Sequence, residues 1–166
     1  FPKATKDTWS STKTTLPEGT TKEDFDKDSV LSRFDHQLKS SGINTNYTLK
    51  PDFSWSLSDI SQIKNYYQLE KYIVLFPFCS PHLSLKKWPY YNDLISMINE
   101  KTENKFKVVI APGPGEIKDA SSINALCILD NGKALDVSQL ATLIKDSSFV
   151  VANDTGPAHM LSLIHI

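Results

Sequence analysis

Three polar segments of the chain carry residue types that bind negatively charged ligands, and each follows an apolar stretch. The first spans residues 78–89 and holds a hydroxyl group, Ser80, and two adjacent lysines, Lys86 and Lys87. Hydroxyl and ammonium groups bind phosphate oxygens by hydrogen bonding and by charge. Because lysines are mostly exposed in proteins, the spacing alone also allows a solvated loop whose lysines face water.

The second polar segment, residues 111–116, reads APGPGE. Glycines in a turn after a strand let a ligand approach the backbone closely. The segment has neither the lysine of a P-loop nor the GxGxxG pattern of dinucleotide-binding proteins. Glu116 could accept hydrogen bonds from ribose hydroxyls, or it could be a first-turn carboxylate facing a helix dipole. The pattern by itself favours the helix interpretation.

The third polar segment, residues 153–159, reads NDTGPAH and follows the apolar stretch 148–152. Its Gly-Pro pair suits the first turn of a helix. Free backbone N–H groups and the positive end of the helix dipole then both face an anion placed at that terminus. Asp154 or Thr155 could be only a helix cap. A cap alone, however, does not need Asp, Thr, Gly and His together within six residues.

Alternating apolar and amphipathic stretches predict the elements that position these segments. The predicted strands are 72–77, 106–111 and 148–153, with a short one at 128–129, and the predicted helices are 89–100, 117–126 and 137–145. Strands alternating with helices indicate a parallel α/β sheet of Rossmann-like type with flanking helices. The continuous apolar run 72–77 is typical of a strand covered on both faces. Ligands of such sheets bind beyond the carboxyl ends of the strands, so the three segments should converge on one cleft.

The composition excludes several classes of protein. The net charge of −1 gives no electrostatic footprint for nucleic acid, and no apolar run is long enough to span a bilayer. Cys79 and Cys127 lie far apart, without metal-ligand spacing, and two cysteines fit a reducing cytoplasm. No acidic cluster or fingerprint predicts a metal or a cofactor.

The three polar segments, in this order, resemble the C-terminal domain of glycosyltransferase family 9, the ADP-heptose:lipopolysaccharide heptosyltransferases. The resemblance rests on YIVLFPFCS with LKKWP, on KVVIAPGPGE, and on LDVSQLATLIKDSSFVVANDTGPAHM, and it covers residues 72–160. The last stretch is the most specific, because the family typically shows a helix, an apolar strand and a D-T-G-x-x-H turn. Phe78 departs from the family, which commonly has Gly there. Residues 28–71 weakly resemble the region that joins the family's two domains.

The resemblance implies a GT-B fold and an inverting transfer of heptose from ADP-heptose to the lipopolysaccharide inner core, without metal or cofactor. Ser80 and Lys86 would contact the donor diphosphate and Glu116 the ADP ribose, while Asp154, Thr155, Gly156 and His159 would surround the phosphates and the sugar. The family's general base is an aspartate of the N-terminal domain, which we expect upstream of Phe1. The protein would be cytoplasmic, at most peripheral at the inner face of the inner membrane.

Two other interpretations stay open. One is another GT-B-like sugar-nucleotide enzyme, such as an epimerase, and the other is a nucleotide-binding module without catalysis. We expect residues 1–71 to be the end of an N-terminal acceptor domain with the interdomain linker, the first 27 of them in loops, and 72–160 to be a partial C-terminal nucleotide-sugar domain. Residues 161–166, LSLIHI, resemble a translated transposon-type sequencing adapter, which predicts a non-native tail with no fold or function. Such a fragment should be poorly stable and inactive alone.

Overall fold

The structure, a computed structural model, describes residues 16–44, 46–50 and 53–164. The chain divides into two compact units between residues 52 and 53. The three polar segments all belong to the second unit. Within the described residues, no helix combines the length and the apolar character needed to cross a membrane.

The first unit contains two helices, α1 (Lys22–Lys27) and α2 (Val30–Ser40). Thr21 caps α1, its Oγ1 accepting from the Asp24 N–H at 3.2 Å, and Phe25 is buried. The cap and the buried ring stabilise a helical turn that the polar composition concealed. The prediction of a loop over residues 1–27 is therefore wrong for 22–27, and residues 1–15 lie outside the described part of the chain.

The second unit alternates helices and strands. In chain order they are α3 (Ser61–Tyr67), β1 (Tyr72–Phe76), α4 (Tyr91–Lys101), β2 (Lys107–Ile110), β3 (Leu126–Cys127), α5 (Val137–Lys145), β4 (Phe149–Ala152) and α6 (Gly156–Ile164). One 3₁₀ segment, Ser54–Ser56, precedes α3, and two others, Pro81–Lys86 and Asp119–Ser122, follow β1 and β2. The alternation confirms the predicted α/β class.

The four strands form one parallel sheet in the order β3-β2-β1-β4. Val74 of β1 stands opposite Val109 of β2 on one side and Val150 of β4 on the other. The predicted parallel pairing is confirmed. Because β2 and β4 lie on opposite sides of β1, the strand order reverses there, and the loops after β1 and β4 border a crevice of the kind that binds ligands.

Both faces of β1 are buried, as its continuous apolar run predicted. Tyr72, Val74 and Phe76 pack on the face that also receives side chains of α3, α5 and α6. Ile73 and Leu75 face the opposite side, which is covered by residues of α4. The Tyr72 hydroxyl donates to the Leu143 carbonyl of α5 at 2.9 Å, and burial raises the pKa of this tyrosine well above its ordinary value.

The predicted helix over 117–126 is wrong. Only the 3₁₀ segment Asp119–Ser122 forms there, and β3 begins at Leu126 rather than at 128. The Ser121 and Ser122 hydroxyls donate to the backbone carbonyls of Lys118 and Asp119, three residues earlier. Such local bonds offer the backbone an alternative to a helix. The Asn92 side chain of α4 also bonds this stretch, donating to the Ser122 carbonyl and accepting from the Asn124 N–H.

The other two predicted helices form. Helix α5 has a capping box, in which Asp136 accepts from the Gln139 N–H at 2.8 Å and donates its own N–H to the Gln139 side chain at 3.0 Å. Helix α4 begins at Tyr91 and not at Pro89. The Trp88 N–H donates to the Asn153 side chain, which holds the chain against the sheet before the helix begins.

Residues 161–164 continue α6. Leu161 and Ile164 pack, together with Met160, against the buried residues on the α5 side of the sheet. The expectation that residues 161–166 have no fold is therefore wrong for 161–164, because the helical period turns these two apolar side chains inward. Residues 165 and 166 lie outside the described residues. The adapter origin of the six residues stays a prediction.

Candidate functional site

A cleft of about 500 Å³ opens beyond the carboxyl ends of β1, β2 and β4. Its walls include all seven residues for which the family resemblance implies a binding role, namely Ser80, Lys86, Glu116, Asp154, Thr155, Gly156 and His159. The predicted convergence of the three polar segments is confirmed, since parallel strands deliver their carboxyl ends to one edge of the sheet. What these residues bind stays a prediction.

Lys86 and Asp154 form an ion pair across the cleft. The Lys86 Nζ lies 2.5 Å from the Asp154 Oδ2, although the two residues are 68 positions apart in the chain. The hydrogen bond from Lys86, and then its charge, hold the pKa of the Asp154 carboxyl below its ordinary value. The side chains are 42% and 62% exposed, and exposed pairs contribute little to stability. The pair therefore mainly fixes where the ammonium group lies.

Of the two adjacent lysines, Lys86 lines the cleft and Lys87 lines a smaller pocket beside it. Lys87 does not line the cleft, and its Nζ lies 5.7 Å from the centroid of the Phe78 ring, a cation–π contact. Phe78, which departs from the resembled family, is buried with the α4 side of the sheet. Ser80 is exposed at the start of the 3₁₀ segment Pro81–Lys86, and its carbonyl accepts from the Leu83 N–H at 2.8 Å.

The N-terminus of α6 forms another part of the wall. The Thr155 Oγ1 donates to the Asn153 carbonyl at 3.2 Å, and the Thr155 carbonyl accepts from the Ala158 and His159 N–H groups. Pro157 has no N–H and the Ala158 and His159 N–H groups are already bonded, so within the first turn only the Gly156 N–H donates to no described residue and can donate to an anion. The His159 Nε2 lies 3.7 Å from the Asp154 Oδ1. This end of the cleft thus combines a free helix N–H group with an imidazole side chain.

No feature of the described fold requires glycine at position 156. Its φ lies outside the left-handed region, and a Cβ atom built there meets no atom within 4 Å. Neither backbone strain nor crowding by the described residues therefore demands glycine. Open space above a helix N-terminus is what a bound ligand would need.

Glu116 folds back onto its own turn. Its Oε2 accepts from the Gly113 N–H at 2.7 Å, and its backbone N–H donates to the Gly113 carbonyl at 2.9 Å. The interpretation of Glu116 as a first-turn helix carboxylate is wrong, because no helix begins there. The Oε1 accepts no hydrogen bond from the described residues and can accept one from a ligand hydroxyl.

Asn153 is a functional candidate that the sequence placed in the third polar segment without a role. It is the one buried polar or charged residue in the described part of the chain, 6% exposed. A polar residue directly after a buried strand is the signal that could have singled it out, because buried polar groups need partners. The described residues contain no group of His, Cys, Asp and Glu side chains arranged to hold a metal ion.

Solved structures similar to this fold share its architecture at low sequence identity. They include E. coli heptosyltransferase WaaC with ADP-2-deoxy-2-fluoro heptose, which is 18% identical with a TM-score of 0.52 over 84% of this chain. The same enzyme with ADP is also 18% identical, with a TM-score of 0.53 over 83% of this chain. Both comparisons support the GT-B type of fold. The chain spans 43% of the length of each of these proteins.

Sequence comparison places the chain in a family. No curated protein gives a significant sequence match. The sequence profile of glycosyltransferase family 9 (heptosyltransferase) matches residues 20–161, which is most of the chain. The chain therefore belongs to glycosyltransferase family 9.

Proposed function

We propose that the protein is an inverting heptosyltransferase that transfers heptose from ADP-heptose to the lipopolysaccharide inner core, and that the cleft binds the donor. The observation that carries the proposal is the convergence of all seven predicted donor residues on one cleft at the reversal of strand order. Family membership supports the reaction class. Two structures of similar fold hold ADP or an ADP-heptose analogue, which supports the nucleotide sugar.

In this proposal the diphosphate lies between Lys86 and the N-terminus of α6. The ammonium group and the Gly156 N–H would share its negative charge, together with the positive end of the helix dipole, and the Ser80 hydroxyl would donate one further hydrogen bond. A diphosphate competes with Asp154 for Lys86, because both offer charged oxygen atoms. Donor binding would therefore loosen the ion pair and leave Asp154, with His159, free to contact the sugar.

The nucleoside would lie along the opposite wall of the cleft. The free Oε1 of Glu116 can accept from a ribose hydroxyl while the Oε2 stays bonded to the Gly113 N–H. Leu135, Val137 and Leu140 line the cleft and supply apolar surface for a purine ring. The proposal thus gives polar partners to the diphosphate and the ribose, and an apolar surface to the purine ring.

In the transfer step the bond between the heptose anomeric carbon and the diphosphate oxygen breaks, and an acceptor hydroxyl oxygen bonds to the opposite face of that carbon. Electrons of the broken bond pass to the diphosphate, where Lys86 and the α6 N-terminus stabilise the added charge. The acceptor proton passes to a carboxylate base, which we propose belongs to an N-terminal domain upstream of Phe1. We propose a cytoplasmic protein that meets its acceptor at the inner face of the inner membrane.

Titration of ADP into the protein by calorimetry tests the donor site, with UDP as the matched control nucleotide. We expect ADP to bind and UDP to bind more weakly, and absence of ADP binding would contradict the proposal. Incubation of the complete enzyme, with the base that we expect upstream of Phe1, with ADP-heptose and an inner-core acceptor then separates the reaction classes. A transferase releases ADP and extends the acceptor, an epimerase interconverts heptose isomers without releasing ADP, and a binding module does neither.

A further inference from the structure

The side chain of Asn153 bonds the backbone at both ends of the segment that carries Ser80 and Lys86. Its Nδ2 donates to the Pro77 carbonyl at 3.0 Å, directly before residues 78–87. Its Oδ1 accepts from the Trp88 N–H at 3.3 Å, directly after them. We infer that Asn153 is a positioning residue, which fixes this ten-residue segment and thereby the location of Lys86 in the cleft.

The chemistry of the two backbone groups explains why the residue is asparagine. The Pro77 carbonyl can only accept a hydrogen bond and the Trp88 N–H can only donate one, so the side chain that joins them needs a donor and an acceptor. An aspartate offers no donor to Pro77, and an aliphatic side chain offers neither group. Pro77 is fully buried, so an unmet carbonyl there would be unfavourable.

Asn153 also connects the segment to the sheet. Its backbone N–H donates to the Phe76 carbonyl at 3.3 Å, which ties the end of β4 to the end of β1. The Tyr91 hydroxyl of α4 lies 3.3 Å from the Asn153 Oδ1 and 3.2 Å from the Phe76 carbonyl. Burial raises the pKa of Tyr91 to about 12, so its hydroxyl stays a donor across the working range of pH.

Two neighbouring residues therefore hold the segment in different ways. Asn153 fixes its two ends through the backbone, and Asp154 contacts Lys86 near its last turn. A diphosphate that displaces Asp154 from Lys86 leaves the Asn153 bonds in place. The ammonium group would then stay within reach of the cleft while its ion-pair partner changes. This consequence rests on the proposed function, whereas the fixing of the segment does not.

Amide exchange and ADP affinity together test the inference. We compare the unmodified protein with Asn153→Leu, which removes both the donor and the acceptor, and with Asn153→Asp, which keeps the acceptors and removes the donor. Tyr91→Phe is the matched control, because it removes a buried hydrogen bond of Asn153 but leaves both bonds to the segment. The Trp88 N–H reports on the segment, and the Ile128 N–H, which donates to the Ile110 carbonyl at 2.8 Å, reports on the sheet.

We expect the Trp88 N–H to exchange about tenfold faster relative to Ile128 in Asn153→Leu, which removes its acceptor, as the loss of one buried hydrogen bond implies. Asn153→Asp keeps that acceptor and frees only the Pro77 end of the segment, so we expect ADP to bind about tenfold more weakly in both variants. In Tyr91→Phe the relative exchange rate of the Trp88 N–H and the affinity for ADP should each change less than about threefold. Unchanged relative exchange and unchanged ADP affinity in both Asn153 variants would overturn the inference. Failure of the unmodified protein to bind ADP would contradict the proposed function instead, and the exchange at Trp88 would still decide the positioning role.

Discussion

Lys86 and Asp154 meet across the cleft with the Nζ 2.5 Å from the Oδ2, and they come from segments that follow different strands. Lys86 ends the 3₁₀ segment after β1, and Asp154 follows β4. These two strands are neighbours in the sheet, on the side where its order reverses. The single basic group that the proposed mechanism uses is thus held at the switch point before any ligand binds.

Replacing Lys86 should impair the reaction more than the fold. In the complete enzyme we expect Lys86→Ala to lower kcat/KM about a hundredfold, because a lost charged contact to the leaving group removes about 2–4 kcal/mol of transition-state stabilisation. Lys87→Ala is the matched control, since its ammonium group lies over the Phe78 ring. Steady-state rates and thermal melting of both variants are the measurements. Full activity in Lys86→Ala, or a variant that merely unfolds, would refute the assigned role.

The ion pair should be visible in the titration of Asp154. Its folded-state pKa is depressed, so the pair contributes to stability above the unfolded value of about 3.9, and the contribution is lost as the pH falls through the folded value. We expect Lys86→Met to raise the pKa of Asp154 toward its ordinary value. The chemical shift of the Asp154 side-chain carboxyl, recorded by NMR from pH 2 to 7, measures this pKa. Identical titration in the two proteins would show that the pair does not form in solution.

A thiol on the wall of the cleft allows a protection experiment. Cys79 lines the cleft and is partly exposed, with its Sγ 3.4 Å from the Leu83 carbonyl. Cys127 is also free, and burial raises its pKa, so less of it is thiolate at neutral pH. We expect N-ethylmaleimide to modify Cys79 faster than Cys127, and saturating ADP to slow only the reaction of Cys79. Peptide mass spectrometry gives both rates, and equal slowing of the two thiols would argue against ADP in this cleft.

The sheet and the convergence of the site were predictable because both depend on short-range patterns. The apolar run 72–77 by itself predicts a strand that is buried on both faces. Parallel strands necessarily bring the loops that follow them to one edge of the sheet. The stretch 117–126 was not predictable, since its backbone is held by Ser121, Ser122 and the distant Asn92. Helix propensity depends on the local sequence and does not include contacts with distant residues.

The sequence also could not distinguish Lys86 from Lys87 on spacing alone, nor assign a role to Asn153. Adjacent lysines have the same local pattern, and the structure separates them by the ion pair of Lys86 with Asp154 and by the contact of Lys87 with the Phe78 ring. The partners of Asn153 lie 65 and 76 positions earlier in the chain. A hydrogen bond over that distance becomes visible only when the strands are placed side by side.

Truncating Leu161 tests whether residues after Met160 belong to the fold. Leu161 is partly buried against the core on the α5 side of the sheet. We expect Leu161→Ala to lower the melting temperature by about 2–4 °C, which corresponds to about 1 kcal/mol for a chain of this size. Ser162→Ala, at an exposed position of the same helix, should leave the melting temperature unchanged. Equal melting of both variants would instead support an adapter-derived tail that the fold does not use.

Gly156→Ala should raise the stability of the protein and weaken its binding of ADP. A Cβ atom there meets nothing within 4 Å and needs no left-handed backbone, so Gly156→Ala should stabilise the first turn of α6 by about 0.5–1 kcal/mol. The same methyl group would occupy the space beside the Gly156 N–H that the diphosphate needs, so we expect ADP affinity to fall about tenfold or more, the equivalent of one good contact.

Gly115→Ala is the matched control for that substitution. Gly115 has an equally open environment and no left-handed φ, but it does not line the cleft. It should therefore leave ADP affinity unchanged. Calorimetric titration of ADP and thermal melting of both variants provide the comparison. If Gly156→Ala binds ADP as tightly as the unmodified protein, the diphosphate does not approach the α6 N-terminus, and the donor must lie elsewhere in the cleft.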